Sequence, residues 1–135
     1  MSRIPVIAIF DVGKTNKKLF LFDEQYKIQY EESKQFDEIK DEDGFPCEDV
    51  HLLSKWIKNS FDALTKEDRF DIKAVNFSAY GASFVYVDKE GKVIAPLYNY
   101  LKPYPEKLKN QFYQSYGGEI LIAKETASPV LYSLN

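Results

Sequence analysis

Five residues near the N-terminus combine groups that can handle phosphate. Residues 11–15, DVGKT, place a carboxylate (Asp11), a glycine (Gly13), a lysine (Lys14) and a hydroxyl (Thr15) just after the apolar run PVIAIF at 5–10. The Gly-Lys-Thr triplet looks like the end of a Walker A loop. That loop needs an earlier glycine where Ala8 stands, and it must open a helix, whereas KLFLFD at 18–23 reads as a second strand. What remains is a hairpin tip. Gly13 permits a left-handed backbone and close approach of an oxyanion. Successive N–H groups in such a turn can form an anion-binding nest, and Thr15 adds a donor. Asp11 would repel a bare phosphate, so it makes sense chiefly with a Mg²⁺ between the two. Lys14, Lys17 and Lys18 add positive charge. Asp and Gly are also common in plain turns; the flanking strands tilt the reading toward a magnesium nucleotide.

The elements that would hold this tip follow from the apolar pattern. Residues 5–10, 18–23 and 27–36 read as three strands joined by short loops, hence an antiparallel meander. In the third, Ile28, Tyr30 and Phe36 share one face and Gln29 and Glu31 the other. The acidic stretch DEIKDEDGFPCED at 37–49 reads as a solvated loop without EF-hand spacing. Asp49 can cap a helix running to about Thr65, with Val50, Leu53, Ile57, Phe61 and Leu64 as its apolar stripe and Trp56 beside it. IKAVNF at 72–77 is another buried strand, and SAYGAS at 78–83 a small-residue break. Residues 84–88 and 92–98 flank KEG as a hairpin. Pro105 and Gly117 frame a helix with Leu108, Phe112 and Tyr116 facing in. EILIA at 119–123 reads as a short extended piece, and residues 126–135 as the start of another helix. The expected class is α/β: a mixed sheet that starts with the meander, followed by a helix and further strands.

Composition narrows the partners. The chain has 135 residues, 44% hydrophobic and 16% aromatic, with net charge -3, enough for one packed domain and no electrostatic case for nucleic acid. Cys47 and His51 are the only residues of their kinds, so no disulfide forms within the chain and a Cys/His zinc site is not expected. No apolar run approaches the roughly 20 residues of a membrane helix, and no signal-peptide pattern is present, because Asp11 interrupts the first apolar run. A cytoplasmic setting is expected; a homo-oligomer stays open.

Two longer stretches carry a resemblance. IAIFDVGKTNKKLFLFDEQYKI, beginning at Ile7, resembles the first phosphate loop of the actin-like ATPase superfamily. AVNFSAYGASFVYVDKEGKVIAPLYNY at 74–100 is similar to the FGGY carbohydrate kinases within it, and TASPVLYSLN resembles that family's Thr-Gly-x-Pro segment. The resemblance implies an RNase H-like fold and ATP and Mg²⁺ as cofactors. It places Asp11 near Mg²⁺, through water, and turns Gly13, Lys14 and Thr15 toward the terminal phosphates. Lys18 falls where many members carry Arg, keeping the charge without the bidentate fork. It implies a small-molecule sugar or polyol substrate met by Tyr80, Gly81 and Ala82 and by Tyr98, Asn99 and Tyr100. The aromatic rings would stack on a sugar's C–H face and Asn99 would bond hydroxyls. Tyr98 and Tyr100 read equally well as alternate core residues.

The resemblance also implies what is lacking. The family's catalytic base is an aspartate beyond these residues, so 1–135 read as the N-terminal portion of a first lobe that should not turn over alone. Its sheet should end on an unfinished edge. The competing reading is a non-catalytic actin-like scaffold or regulatory module. An RNase H-type nuclease would need several carboxylates at strand ends, and the fourth strand ends VNFSAY without one.

Overall fold

A computed structural model describes residues 3–128. The three-strand opening forms as expected: β1 (Ile4–Val12), β2 (Lys17–Phe22) and β3 (Ile28–Lys34) are antiparallel neighbours. A 16-residue helix, α1 (Val50–Thr65), then carries the chain across to β6 (Phe70–Ala79), which lies parallel to β1. The four-stranded order is β3-β2-β1-β6. A parallel neighbour requires such a crossover, because a tight hairpin can only join antiparallel strands.

Alternation along β1 and β2 explains the core. Val6, Ala8, Phe10 and Val12 of β1 and Leu19 and Leu21 of β2 are buried on one face. Leu53, Trp56 and Leu64 of α1 join them, with Ile57 and Phe61 packed at the margin. Asp49 caps α1 as read from the sequence, its carboxylate accepting from the His51 and Leu52 N–H groups. The Phe10 ring meets Trp56 edge-on at 5.7 Å. Trp56 Nε1 donates to the inward-facing Glu32 carboxylate of β3 at 2.8 Å, so that polar group stays satisfied beneath the helix.

Several expectations are corrected. β3 stops at Lys34, and Phe36 lies beyond it against Trp56. Ile28 does not share the face of Tyr30. The register slips between Leu21↔Tyr30 and Phe22↔Ile28, and the extra residue moves Ile28 to the outer side with Phe22. The acidic stretch is not merely solvated. It folds into a small hairpin, β4 (Ile39–Lys40) with β5 (Pro46–Cys47), whose Asp41, Cys47 and Glu48 are buried. β6 is an edge strand rather than a buried one: Phe77 is 55% exposed although it stacks on Phe10 at 5.3 Å. The 84–98 hairpin is held by a tight Asp88–Lys92 turn and the single bridge Val87↔Val93, not by regular strands.

At the C-terminal side, α2 (Glu106–Ser115) begins one residue after Pro105, and Gly117 follows its end with φ +85°. Tyr113 is its buried residue; Leu108, Phe112 and Tyr116 are exposed, because no neighbouring element of the described chain covers that stripe. EILIA is helical, within α3 (Glu119–Thr126). Five apolar residues cannot distinguish strand from helix by periodicity, and Glu119 in the first turn and Lys124 in the last complement the helix dipole. Of residues 126–135, those from 129 on lie outside the described chain. None of the described helices is long and apolar enough to cross a membrane.

Phe10 joins β1, β6 and α1. Phe10→Ala should therefore lower unfolding free energy by ~3–5 kcal/mol. Urea titration followed by the fluorescence of Trp56 reads this directly.

Candidate functional site

Both halves of the candidate site sit at one end of the sheet, and the topology forces this. β1 and β6 run parallel, with Asp11 opposite Ser78 and Val12 opposite Ala79. The turn after β1 and the turn after β6 therefore emerge side by side. The Tyr80 N–H donates to the Val12 carbonyl at 3.1 Å, which continues the pairing into the second turn.

Asp11, one residue before the end of β1, lies on the face opposite α1, with Lys18 as its cross-strand neighbour on β2. Its half-buried carboxylate takes part in no hydrogen bond or ion pair among the described residues. Gly13 is not in the left-handed region. Its lack of a side chain matters for another reason: a Cβ there would lie 2.7 Å from the Asn16 carbonyl oxygen. The tight tip thus needs glycine for backbone-to-backbone approach. Lys14 reaches Glu38 of the acidic segment at 2.5 Å, and Lys18 reaches Glu31 at 3.1 Å. Both ammonium groups would have to leave those carboxylates to meet a phosphate. Thr15 is exposed at the tip.

Beneath the tip lies a polar cluster that the sequence reading missed. Lys17, 1% exposed, donates to the Lys14 carbonyl at 2.8 Å and pairs with Glu48. The other Glu48 oxygen accepts from the Tyr80 hydroxyl at 2.5 Å. Burial first, then the Glu48 hydrogen bond, push the Tyr80 phenol well above the usual tyrosine range, so it stays protonated and donates. The signal was available: alternation places Lys17 on the same face as Leu19 and Leu21.

On the other side, Ala82 takes φ +76°, an uncommon conformation for a residue with a side chain, whereas Gly81 does not need its freedom. Ala82, Tyr98 and Asn99 line a cavity of about 300 Å³ together with Tyr86, Tyr104 and Glu42. The Tyr98 hydroxyl donates to Glu42, and its ring lies edge-on to Tyr86. Tyr98 and Tyr100 are loop residues, both half-buried, and the Tyr100 ring lies 6.3 Å from that of Tyr80. Asn99 is committed in part: its side-chain oxygen accepts the Leu101 N–H at 2.9 Å, forming a turn. Its amide N–H₂ is the group that could meet a hydroxyl.

The 41–43 corner clasps this wall. Lys102 reaches Asp41 at 2.6 Å and Asp43 at 2.7 Å, while its ammonium lies 4.9 Å from the Tyr98 ring centre. The Lys102 hydrogen bond, helped by the Phe45 and Asp43 N–H groups, holds the Asp41 carboxyl below the usual carboxylate range. Asp41 and Asp43 in turn raise the Lys102 ammonium above its ordinary value.

The residues at the tip suit a magnesium nucleotide in kind. A carboxylate without a partner among the described residues can serve a hydrated Mg²⁺, and a glycine in the turn lets an anion approach its N–H groups. The described residues contain no group of three or more metal-ligating side chains, so any metal would depend on Asp11, water and the nucleotide itself.

The fold is similar to that of solved carbohydrate kinases. The chain is similar to the ligand-bound xylulose kinase of Lactobacillus acidophilus (TM-score 0.66, 22% identity), covering 90% of this chain and 24% of that one. It is similar to Plasmodium falciparum glycerol kinase with ADP (TM-score 0.68, 18% identity), covering 86% of this chain and 24% of that one. It is also similar to the gluconate kinase of L. acidophilus (TM-score 0.61, 22% identity), with 84% and 22% covered. The resemblance read from the sequence is thus matched by the fold. The chain spans about a quarter of the length of these kinases. No protein-family model and no curated protein sequence matches it.

Two outcomes follow from this geometry. Gly13→Ala should cost ~1–3 kcal/mol, the usual range for forcing an atom into a filled space, measured by urea unfolding. The Asp41–Lys102 clasp should be acid-labile. A depressed carboxyl stabilises the fold above its unfolded value, about 3.9, and loses that effect as pH falls through the folded value. The raised Lys102 group stabilises below its unfolded value, about 10.4, and loses its effect only in stronger alkali. The Tm gap between wild type and Lys102→Met should therefore be widest between those values and close in acid. Melting curves across pH check this.

Proposed function

We propose that the chain is the phosphate-loop and sugar-facing portion of an ATP-dependent carbohydrate kinase whose remaining parts lie outside these residues. One observation carries the reading: a hairpin tip whose carboxylate has no partner among the described residues stands in a chain that folds like carbohydrate kinases. The lobe would be of the RNase H-like, actin-like ATPase type, supported by the antiparallel meander followed by a parallel strand beside β1.

In this reading Asp11 orients Mg²⁺ through water. The backbone of Gly13, Lys14 and Thr15 holds the terminal phosphates of ATP, with Lys18 nearby. Bound Mg²⁺ supplies charge neutralisation for the transferring phosphoryl group. The cavity at Ala82, Tyr98 and Asn99 presents aromatic faces to C–H groups and an amide to hydroxyls, while Tyr80, Gly81 and Tyr100 stand close to those residues in the chain and outside the lining. The aspartate that accepts the sugar hydroxyl's proton lies beyond this chain.

The charges around the cavity favour neutral substrates. Glu42 and Asp43 line the cavity against one lining ammonium, Lys102, which Asp43 and the buried Asp41 already engage. A sugar acid would meet like charge there.

A substrate panel on the full-length protein with Mg·ATP tests this. Phosphorylation of a neutral sugar or polyol, such as xylulose or glycerol, is expected to exceed that of gluconate. Asp11→Asn should lower kcat by ~2–4 kcal/mol of barrier, the usual effect of losing one preorganised electrostatic group. Mg·ATP binding without any transfer would favour the scaffold reading, and no nucleotide binding would sink both.

A further inference from the structure

The buried cluster beneath the tip links two regions that the proposed function keeps separate. Lys17 is the first residue of β2 and closes the hairpin opposite Val12. Its ammonium is bound upward to the tip through the Lys14 carbonyl and downward to Glu48. Glu48 lies between β5 and α1, pairs through its backbone with Leu97, and holds the Tyr80 hydroxyl. The Tyr80 ring in turn lies beside Tyr100. A continuous set of hydrogen bonds thus runs from the backbone of the phosphate-loop-like turn to the Tyr80 hydroxyl, and the Tyr80 ring neighbours that of Tyr100.

Solvation is the reason this set should move as a unit. Lys17 and Glu48 are 1% and 9% exposed, so neither charge can leave the other for water without a large desolvation cost. A surface pair such as Lys18–Glu31 has that option. If the Lys14 carbonyl shifts when the neighbouring N–H groups take up an anion, Lys17 must follow it, and Glu48 and the Tyr80 hydroxyl with it.

We propose that Lys17 and Glu48 are positioning residues that couple anion binding at the 13–16 turn to the placement of Tyr80 and Tyr100. This rests on the reading of that turn as a nucleotide-phosphate site. Phosphate occupancy would then shift Tyr80 and Tyr100, which stand close in the chain to the cavity-lining stretches at Ala82 and Asn99, and by reciprocity a ligand against Tyr80 and Tyr100 would alter nucleotide affinity.

The test places 3-fluorotyrosine at position 80 of the full-length protein and follows its ¹⁹F resonance as Mg·ADP is added, with calorimetry giving Kd. In the wild type the resonance should move in step with binding. Glu48→Gln strands the Lys17 charge and so risks unfolding the protein. The companion variant is therefore Lys17→Met with Glu48→Leu, since replacing a buried ion pair by apolar groups of similar volume is often neutral for stability. That double variant should keep its fold, still bind Mg·ADP, and lose the Mg·ADP-dependent movement at position 80. Lys17→Arg, which keeps the charge, should restore the movement in part. Saturable Mg·ADP binding with no change at position 80 overturns the coupling while leaving the nucleotide site standing. Movement undiminished in the folded double variant overturns the roles of Lys17 and Glu48. Absence of Mg·ADP binding in the wild type overturns the nucleotide reading and the coupling together.

Discussion

The four-stranded sheet and the helix that crosses it are placed by the pairing of β1 on both of its edges. β1 is antiparallel to β2 on one side and parallel to β6 on the other, and Val6, Ala8, Phe10 and Val12 all face α1. The parallel partner cannot be reached by a tight turn, so the 16-residue helix must cross the sheet. The helix can stay there only because the β1 and β2 side chains beneath it alternate. An interior of Leu, Val, Ala and Phe supplies the burial, and the edge-on Phe10–Trp56 contact fixes the orientation.

A buried ion pair in such a core is seldom there for stability alone. Apolar residues of the same volume would serve as well or better. Lys17 and Glu48 nonetheless leave no buried side-chain polar atom without a partner among the described residues. The pair is three-way satisfied: Lys17 by the Lys14 carbonyl, Glu48 by Lys17 and Tyr80. What it gives is direction. An apolar contact tolerates rotation, whereas these bonds fix the Lys14 carbonyl against the Tyr80 hydroxyl. The acidic segment is drawn into the same role through Asp41 and Lys102, so it braces the site wall rather than spanning a gap.

The meander, the helix and its cap were legible because each has a short-range cause. Short apolar runs marked β1 and β2, and Asp49 before a stripe of threes and fours marked α1. The hairpin tip was legible as a tip, but not the reason for its glycine. A turn's residue types do not reveal that the Asn16 carbonyl comes close to Gly13. Long-range causes stayed hidden. Lys17 and Glu48 are 31 positions apart, and nothing local says that one charge goes inward to meet the other. Composition made residues 37–49 look solvated, because it cannot see Asp41 turning its oxygens onto its own backbone and onto Lys102. The bulge in β3 and the helical EILIA were lost for a related reason: register and neighbours, not residue types, decided them.

The parallel pairing also explains why the candidate chemistry gathers where it does. Parallel strands release their following turns at the same end, and in open α/β sheets ligands are met beyond the carboxyl ends of the strands. Val12 and Ala79 end β1 and β6 together, so the Asp11–Thr15 tip and the Tyr80–Ala82 turn are neighbours by construction of the sheet. Had β6 run antiparallel, the second turn would have emerged at the far end, and no side-chain network could have joined them. β6 also leaves its outer edge unpaired among the described elements, with Val75 and Phe77 exposed on it. Such an edge is a template for further pairing. Any element laid along it would continue the sheet parallel or antiparallel to β6 without disturbing β1, and would extend the same end at which Asp11 and Tyr80 already meet.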